Sequence, residues 1–152
     1  VGGTVFHASG SAVGMGTVTP RATLDVDGSV RLKTYFEAVK SVSPSSNVVT
    51  INLSEAQTFD VDVTSAINSF TITNIPSDSS SFTLKVSQDS TGGYAVGIDT
   101  FRTSGGAAIP VYWSGSVVPV VTTTASKTDI YSFITFDGGS SFYGVSGGQN
   151  FG

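Results

Sequence analysis

The chain has 152 residues, enough for one domain that buries a sizeable core. Its formal net charge of −4 and pI near 4.6 disfavour nucleic acid as a partner, because nucleic acid selects basic surfaces. The lack of cysteine excludes disulfides and thiolate metal sites, and no apolar run approaches the ~20 residues of a membrane-spanning helix.

Hydroxyl side chains give this sequence most of its polarity. Serine and threonine account for 43 of the 152 residues, whereas charged residues make up 12%, against about 25% in an average soluble protein. Ten phenylalanines and a hydrophobic content of 39% argue against disorder, which combines low hydrophobicity with high net charge. The composition therefore predicts a folded domain with a hydroxyl-rich surface.

Residues 1–34 are rich in glycine and contain few large apolar side chains. Val26, Val30 and Leu32 are among those few, and such a thin set cannot close a core by itself. We therefore expect this segment to need a partner surface, with these side chains at the interface. The Asp27-Gly28 pair suggests a hairpin, but a two-residue turn there pairs apolar with polar residues, so a corner in an extended strand fits equally well.

Residues 35–152 alternate apolar and polar side chains with a period of two. This alternation is typical of strands with one buried and one solvated face, and turn-forming clusters separate the segments. A strand is also predicted from Tyr35 to Val39, where no helix cap is found. The expected fold class is all-β, an antiparallel, jelly-roll-like β-sandwich. The alternating apolar residues are Val49, Ile51 and Leu53, then Phe59, Val61 and Val63, then Phe70 and Ile72, then Phe82, Leu84 and Val86.

The last two predicted strands form a hairpin around Gly138-Gly139 that is apolar on both faces. This turn places Ile134 opposite Tyr143 and an aromatic ring, Phe133, opposite Gly144, a known device in β-sheets. One face belongs to the domain's core, so the other needs a cover, for which we expect a neighbouring subunit. The first face carries Ile130, Ile134, Phe136, Tyr143 and Val145. The second carries Tyr131, Phe133 and Phe142, which we assign to the subunit interface.

Two stretches together resemble bacteriophage appendage proteins. The first has Gly14-Met15-Gly16-Thr17, then Pro20, then Leu24-Asp25-Val26-Asp27-Gly28-Ser29-Val30-Arg31. It resembles the repeated segment G-I-G-T-x-x-P-x-x-x-L-D-V-x-G-x-V-R of tail-fibre stems, with Met15 in place of isoleucine. In that family the segment threads into a trimeric stem, so the resemblance implies that residues 1–34 are an extended N-terminal stem that trimerises, with Val26, Val30 and Leu32 at the subunit interface.

The second stretch runs from about Tyr35 to Phe151 and resembles a C-terminal fibre domain common in phages. The matching motifs are Ser81-Phe82-Thr83-Leu84, Gln88-Asp89, Thr91-Gly92-Gly93, Trp113, Lys127-Thr128-Asp129, Phe136-Asp137-Gly138-Gly139, Tyr143-Gly144 and Gly148-Gln149-Asn150-Phe151. The resemblance implies a homotrimeric β-structured appendage located in the virion, on the tail or the capsid.

No group of residues in the sequence favours catalysis. His7 is the only imidazole and lies in a glycine- and serine-rich arm, where a surface or interface role is favoured over metal binding. Asp60 and Asp62 share one strand face and project in parallel, so they do not flank a substrate as glycosidase carboxylates do. The same applies to Asp25 and Asp27. We predict that the chain is not an enzyme and needs no cofactor or metal.

Aromatic side chains near predicted loops are the best candidates for ligand contact. Tyr94, Tyr112 and Trp113 are assigned to receptor binding, because exposed rings bind sugar faces and are favoured at interfaces. A core or subunit role for Trp113, as a plug at the end of the sandwich, is the alternative.

The expected function is a virion structural appendage, like a tail fibre, that displays a surface for host attachment. Its expected partners are further copies of itself, other virion proteins and a host cell-surface glycan or protein, without nucleic acid or membrane insertion. One alternative is a purely structural capsid decoration or connector. The other is a carbohydrate-binding or adhesin module of a secreted bacterial protein.

Overall fold

The computed structural model describes residues 6–152, and the chain divides into two compact units, Val1–Phe36 and Glu37–Gly152. Residues 1–5 of the predicted stem lie outside the described part. The sequence-based division falls after residue 34, and its two segments are 1–34 and 35–152.

The first unit contains a small three-stranded sheet in the order β1-β2-β3. β1 spans His7–Ser9, β2 spans Ala12–Met15 and β3 spans Leu24–Val26. β1 and β2 pair antiparallel, whereas β2 and β3 pair parallel. The Asp27 amide donates to the Met15 carbonyl (2.8 Å), and no hairpin forms at Asp27-Gly28, because β3 takes β2 as its partner.

The second unit consists of two sheets that share one core. Its strands are β4 (Val39–Val42), β5 (Val48–Asn52), β6 (Thr58–Val63), β7 (Ser69–Thr73), β8 (Ser80–Gln88), β9 (Phe101–Arg102), β10 (Ala108–Ile109), β11 (Val111–Trp113), β12 (Thr128–Thr135) and β13 (Phe142–Phe151). The four-stranded sheet has the order β10-β9-β7-β5, and the six-stranded sheet has the order β11-β13-β12-β8-β6-β4. The prediction of an all-β, sandwich-like fold is confirmed at this level. The strand predicted from Tyr35 begins only at Val39.

The prediction that the sheets are antiparallel is wrong, because both sheets are mixed. From β4 to β9 the chain alternates between the two sheets, so β4, β6 and β8 pair parallel in one sheet while β5, β7 and β9 pair parallel in the other. Parallel neighbours need a crossover connection, and here each crossover is a strand of the opposite sheet. Antiparallel pairing remains at β9–β10, β8–β12 and β12–β13. An alternating sequence pattern indicates that a strand has one buried and one solvated face. It does not indicate whether the neighbouring strand runs parallel or antiparallel.

Phenylalanine rings from both sheets fill the centre of the core. Phe101 of the four-stranded sheet contacts Phe82, Phe133 and Phe142 of the six-stranded sheet, with ring centroids 6.1, 4.7 and 5.7 Å apart. All four side chains are buried. These ring contacts cross from one sheet to the other, so they hold the two sheets together.

The predicted C-terminal hairpin is confirmed in its turn and its register. Gly138 and Gly139 both have positive φ (66° and 86°), and the register pairs Phe133 with Gly144 and Ile134 with Tyr143. The choice of buried face is wrong, however. Tyr131, Phe133 and Phe142 face the chain's own core and are fully buried, because they pack under the four-stranded sheet. They are therefore not available to a neighbouring subunit, and the opposite face is the one left uncovered.

Gly144 should not tolerate a side chain, because the Trp113 ring occupies the space above it. A Cβ at Gly144 would lie 2.8 Å from Cη2 and Cζ3 of that indole. We expect Gly144→Ala to lower the free energy of unfolding by about 1–3 kcal/mol through overpacking, measured by denaturant titration. Gly105→Ala is the matched control, since a Cβ there meets only Thr103 Oγ1 at 3.8 Å. Equal stability of the two variants would contradict the packing of Trp113 on Gly144.

Candidate interaction surface

The outer face of the six-stranded sheet carries apolar side chains where β11, β13 and β12 meet. Directly opposed residues of neighbouring strands lie on the same face, so the register arranges them in rows. The first row runs Tyr112, Tyr143, Ile134 and Ser81. The next contains Val145, Ser132, Thr83 and Thr58.

Three aromatic rings form a continuous exposed cluster at this corner, which we call the aromatic patch. The Tyr143 ring lies 5.5 Å from the Tyr112 ring and 5.8 Å from the Phe136 ring, measured between centroids. Exposed fractions are 53% for Tyr112, 47% for Tyr143 and 68% for Phe136, and Val145 beside them is also exposed. Large apolar groups gathered in this way are typical of interaction sites, whereas single exposed ones are ordinary.

Two shallow depressions flank Trp113 next to this patch. One, of about 310 Å³, is lined by Trp113, Ser114, Val117, Pro119, Gly144, Val145 and Ser146. The other, of about 170 Å³, is lined by Val111, Tyr112, Trp113, Ser116 and Val118. Neither contains a charged side chain in its lining. These depressions therefore suit an uncharged group.

The indole Nε1 of Trp113 is buried and has no hydrogen-bond acceptor within residues 6–152. The side chain is 9% exposed, and its ring packs edge-on against Tyr131 and Phe133. A buried donor without a partner costs roughly 1–3 kcal/mol, so natural proteins rarely leave one unexplained. The 3₁₀ turn Ser114–Ser116 follows Trp113 directly and lines the same depressions.

The other half of the outer face is polar. Lys85 Nζ lies 3.0 Å from Asp60 Oδ2, and the hydroxyls of Thr83 and Ser132 are 3.2 Å apart. A shallow depression of about 350 Å³ on this half is lined by Ser41, Asp60, Asp62, Lys85 and Ser87. An exposed ion pair of this kind contributes little stability. Lys85 pairs with Asp60, and Asp62, two residues further along the same strand, lines the same depression.

A buried carboxylate fixes the C-terminal end of β13, at the end of the hairpin opposite the Gly138-Gly139 turn. Asp129 accepts hydrogen bonds from the amides of Thr122 (2.7 Å) and Asn150 (2.8 Å), from the Tyr131 hydroxyl (3.0 Å) and from Gln149 Nε2 (3.2 Å). Burial acts to raise the pKa of Asp129, but these donors outweigh it and hold the pKa below its ordinary value. Burial and the neighbouring Asp129 charge raise the pKa of Tyr131. Sequence reasoning missed this network, since Gln149 and Asn150 lie 20 and 21 residues from Asp129 along the chain.

The three residues predicted to bind a receptor do not lie in one site. Tyr112 is exposed within the aromatic patch, whereas Trp113 is buried beside it. The burial of Trp113 agrees with the alternative prediction, in which this side chain plugs the end of the sandwich. Tyr94 lies in the loop between β8 and β9, half-buried against the core, with its backbone hydrogen-bonded to the Gln88 side chain. Phe136 and Tyr143 were not among the predicted site residues, although the predicted register had already placed them on one face.

The remaining predicted interface residues, Val26, Val30 and Leu32, belong to the first unit. Val30 and Leu32 are more than half exposed and Val26 is partly buried. All residues from 27 to 40 are exposed, and we call this segment the linker. Its large apolar side chains are Val30, Leu32, Tyr35, Phe36 and Val39, and Phe36 is 95% exposed.

Within residues 6–152, no cluster of three or more His, Cys, Asp or Glu side chains is arranged to hold a metal ion. The same residues include no helix with the length and apolarity needed to span a bilayer. No protein-family model matches the chain, and neither a curated protein nor a solved structure matches it. The functional argument therefore depends on the surface described above.

Proposed function

We propose that the chain is a structural appendage of a virion, similar to a tail fibre, and that it assembles as a homotrimer. The threefold number and the virion location are implied by the resemblance of residues 14–31 and 35–151 to phage appendage proteins. The function is to present a surface through which the particle attaches to its host.

The observation that carries the proposal is the exposure of the linker. A segment with Val30, Leu32, Phe36 and other large apolar side chains in water is costly, at roughly 25 cal/mol per Å² of apolar surface. Contact with sister chains removes that surface from water, as closed oligomers do. The stem thus supplies the assembly, and the second unit supplies the displayed surface.

Light scattering of the purified chain tests the assembly. We expect a particle mass three times 15.6 kDa. Replacing both Leu32 and Phe36 with serine should shift the mass to that of one chain, because the apolar contacts are lost. Serine at Phe136, equally apolar but outside the linker, is the matched control and should leave the mass unchanged. A single-chain mass for the unaltered protein would contradict the proposal.

The aromatic patch favours attachment over a purely structural role as decoration or connector. Three exposed rings on one sheet corner are expected of a binding surface, and several weak contacts in one particle add up through avidity. Adsorption of the purified trimer to host cells separates these two roles. The mass of the glycan-binding particle distinguishes the appendage from a secreted carbohydrate-binding module. Glycan binding by a stable single chain would favour the secreted module.

A further inference from the structure

We propose that the aromatic patch and the 310 Å³ depression beside Trp113 together bind a neutral saccharide of a cell-surface glycan. This inference deepens the proposed function by naming the class of ligand, and it rests on the attachment role. The ligand of the patch is a sugar and not another copy of the chain, because the contacts between copies are assigned to the linker.

The first argument is the geometry of the rings. Tyr112 and Tyr143 lie side by side on neighbouring strands, 5.5 Å apart, with 42° between their planes. Sugar rings present faces of C–H groups that pack on aromatic faces, and two adjacent rings offer room for more than one sugar unit. Both tyrosines are partly exposed, at 53% for Tyr112 and 47% for Tyr143, and a phenol hydroxyl can both donate to and accept from sugar hydroxyls.

The second argument is the absence of charge from this corner. The linings of both depressions combine apolar groups with the hydroxyls of Ser114, Ser116 and Ser146 and contain no charged side chain. A phosphorylated or acidic ligand needs a cation to balance it, and the whole chain is acidic, with a formal net charge of −4. The chemistry that remains is an uncharged molecule with apolar faces and many hydroxyls.

The third argument is the unpartnered indole donor. Trp113 Nε1 is buried in a side chain that lines both depressions, and it lacks an acceptor in the described chain. Sugar hydroxyl oxygens accept hydrogen bonds, so a saccharide bound beside Trp113 would bring the type of acceptor that this donor lacks. This observation is independent of the ring geometry, and it points to a ligand that carries acceptors.

Trp113 also makes the inference measurable, because it is the only tryptophan in the chain. The experiment titrates the 152-residue chain with neutral oligosaccharides built from glucose, galactose, mannose or N-acetylglucosamine and records indole fluorescence per protomer. We expect a saturable change for at least one of these, with a dissociation constant on the order of 1 mM. Sialylated and phosphorylated oligosaccharides should produce no saturable change.

Variants of the exposed tyrosines then locate the site. Tyr112→Ala and Tyr143→Ala should each weaken binding about tenfold while the melting temperature stays unchanged. Tyr143→Phe keeps the ring and should keep most of the affinity. Phe151→Ala removes an exposed aromatic ring outside both the patch and the linker and is the matched control, with unchanged affinity.

Three outcomes would overturn the inference: no neutral oligosaccharide changes the fluorescence, affinity survives both alanine variants, or only peptides or charged glycans bind. Failure of the proposed function is a different result, namely a single-chain mass. If a single chain binds sugar through Tyr112, the appendage proposal is contradicted and the saccharide site is supported. If a trimer binds no neutral sugar, the saccharide site is contradicted and the appendage proposal is supported.

Discussion

Replacing Phe101 with alanine is expected to lower the free energy of unfolding by about 3–5 kcal/mol, the largest effect of any single substitution considered. Phe101 contacts four other rings, with centroids between 4.7 and 6.1 Å away. Three of those rings belong to the opposite sheet, so alanine leaves a cavity at the place where the two sheets meet. Denaturant unfolding followed by circular dichroism measures the loss.

Phe136→Ala is the matched control for Phe101, because it removes the same side chain from the exposed aromatic patch. Its expected effect lies within about 0.5 kcal/mol of zero, as for most surface substitutions. If Phe101→Ala were as stable as Phe136→Ala, the shared aromatic core of the two sheets would be disproved. Should Phe101→Ala fail to fold, Phe101→Leu should give a measurable intermediate loss.

Asp129→Asn carries the second largest expected effect, a loss of about 2–4 kcal/mol from hydrogen bonds in the buried network. Asp129 Oδ1 accepts from the Asn150 amide, and Oδ2 accepts from the Thr122 amide and the Tyr131 hydroxyl. An asparagine has one acceptor oxygen, so its NH₂ group must face a donor on one side. Asp62→Asn, on the exposed outer face, is the control and should cost little.

The cost of Asp129→Asn should also depend on pH. The folded pKa of Asp129 lies below its ordinary value of 3.8, so the stabilising contribution is complete above that value and is lost as pH falls through the lower folded pKa. The difference in unfolding free energy between the two proteins should therefore be constant above about pH 5 and narrow below 3.8. A difference that stays constant at low pH would contradict a charged Asp129.

The period-two alternation was sufficient to predict the strands around Phe59, Phe70 and Phe82 and the all-β class. It was not sufficient to predict their partners. The short connections between β4 and β8 fit hairpins as well as crossings between sheets, and only tertiary packing decides between them. The error in strand direction therefore has a physical origin: a pattern of burial carries no information about which way a neighbouring strand runs.

The hairpin of β12 and β13 illustrates the same limit at the level of the site. The Gly138-Gly139 pair was sufficient to predict the turn and the pairing of Ile134 with Tyr143. Both faces were recognised as apolar, yet the face with Tyr131 was assigned to another subunit when it is the buried one. The missing information was the Asp129 network, since the Tyr131 hydroxyl donates to Asp129 inside the core.

The position of β13 bears on how this protein reaches its native state. β13 comes last in chain order, yet it lies inside the six-stranded sheet, between β11 and β12. During synthesis, that sheet therefore stays split until residues 142–151 have left the ribosome, and the ring of Phe133 has no Gly144 beside it until then. Until then β11 and β12 each present an unpaired strand edge, and such edges favour aggregation.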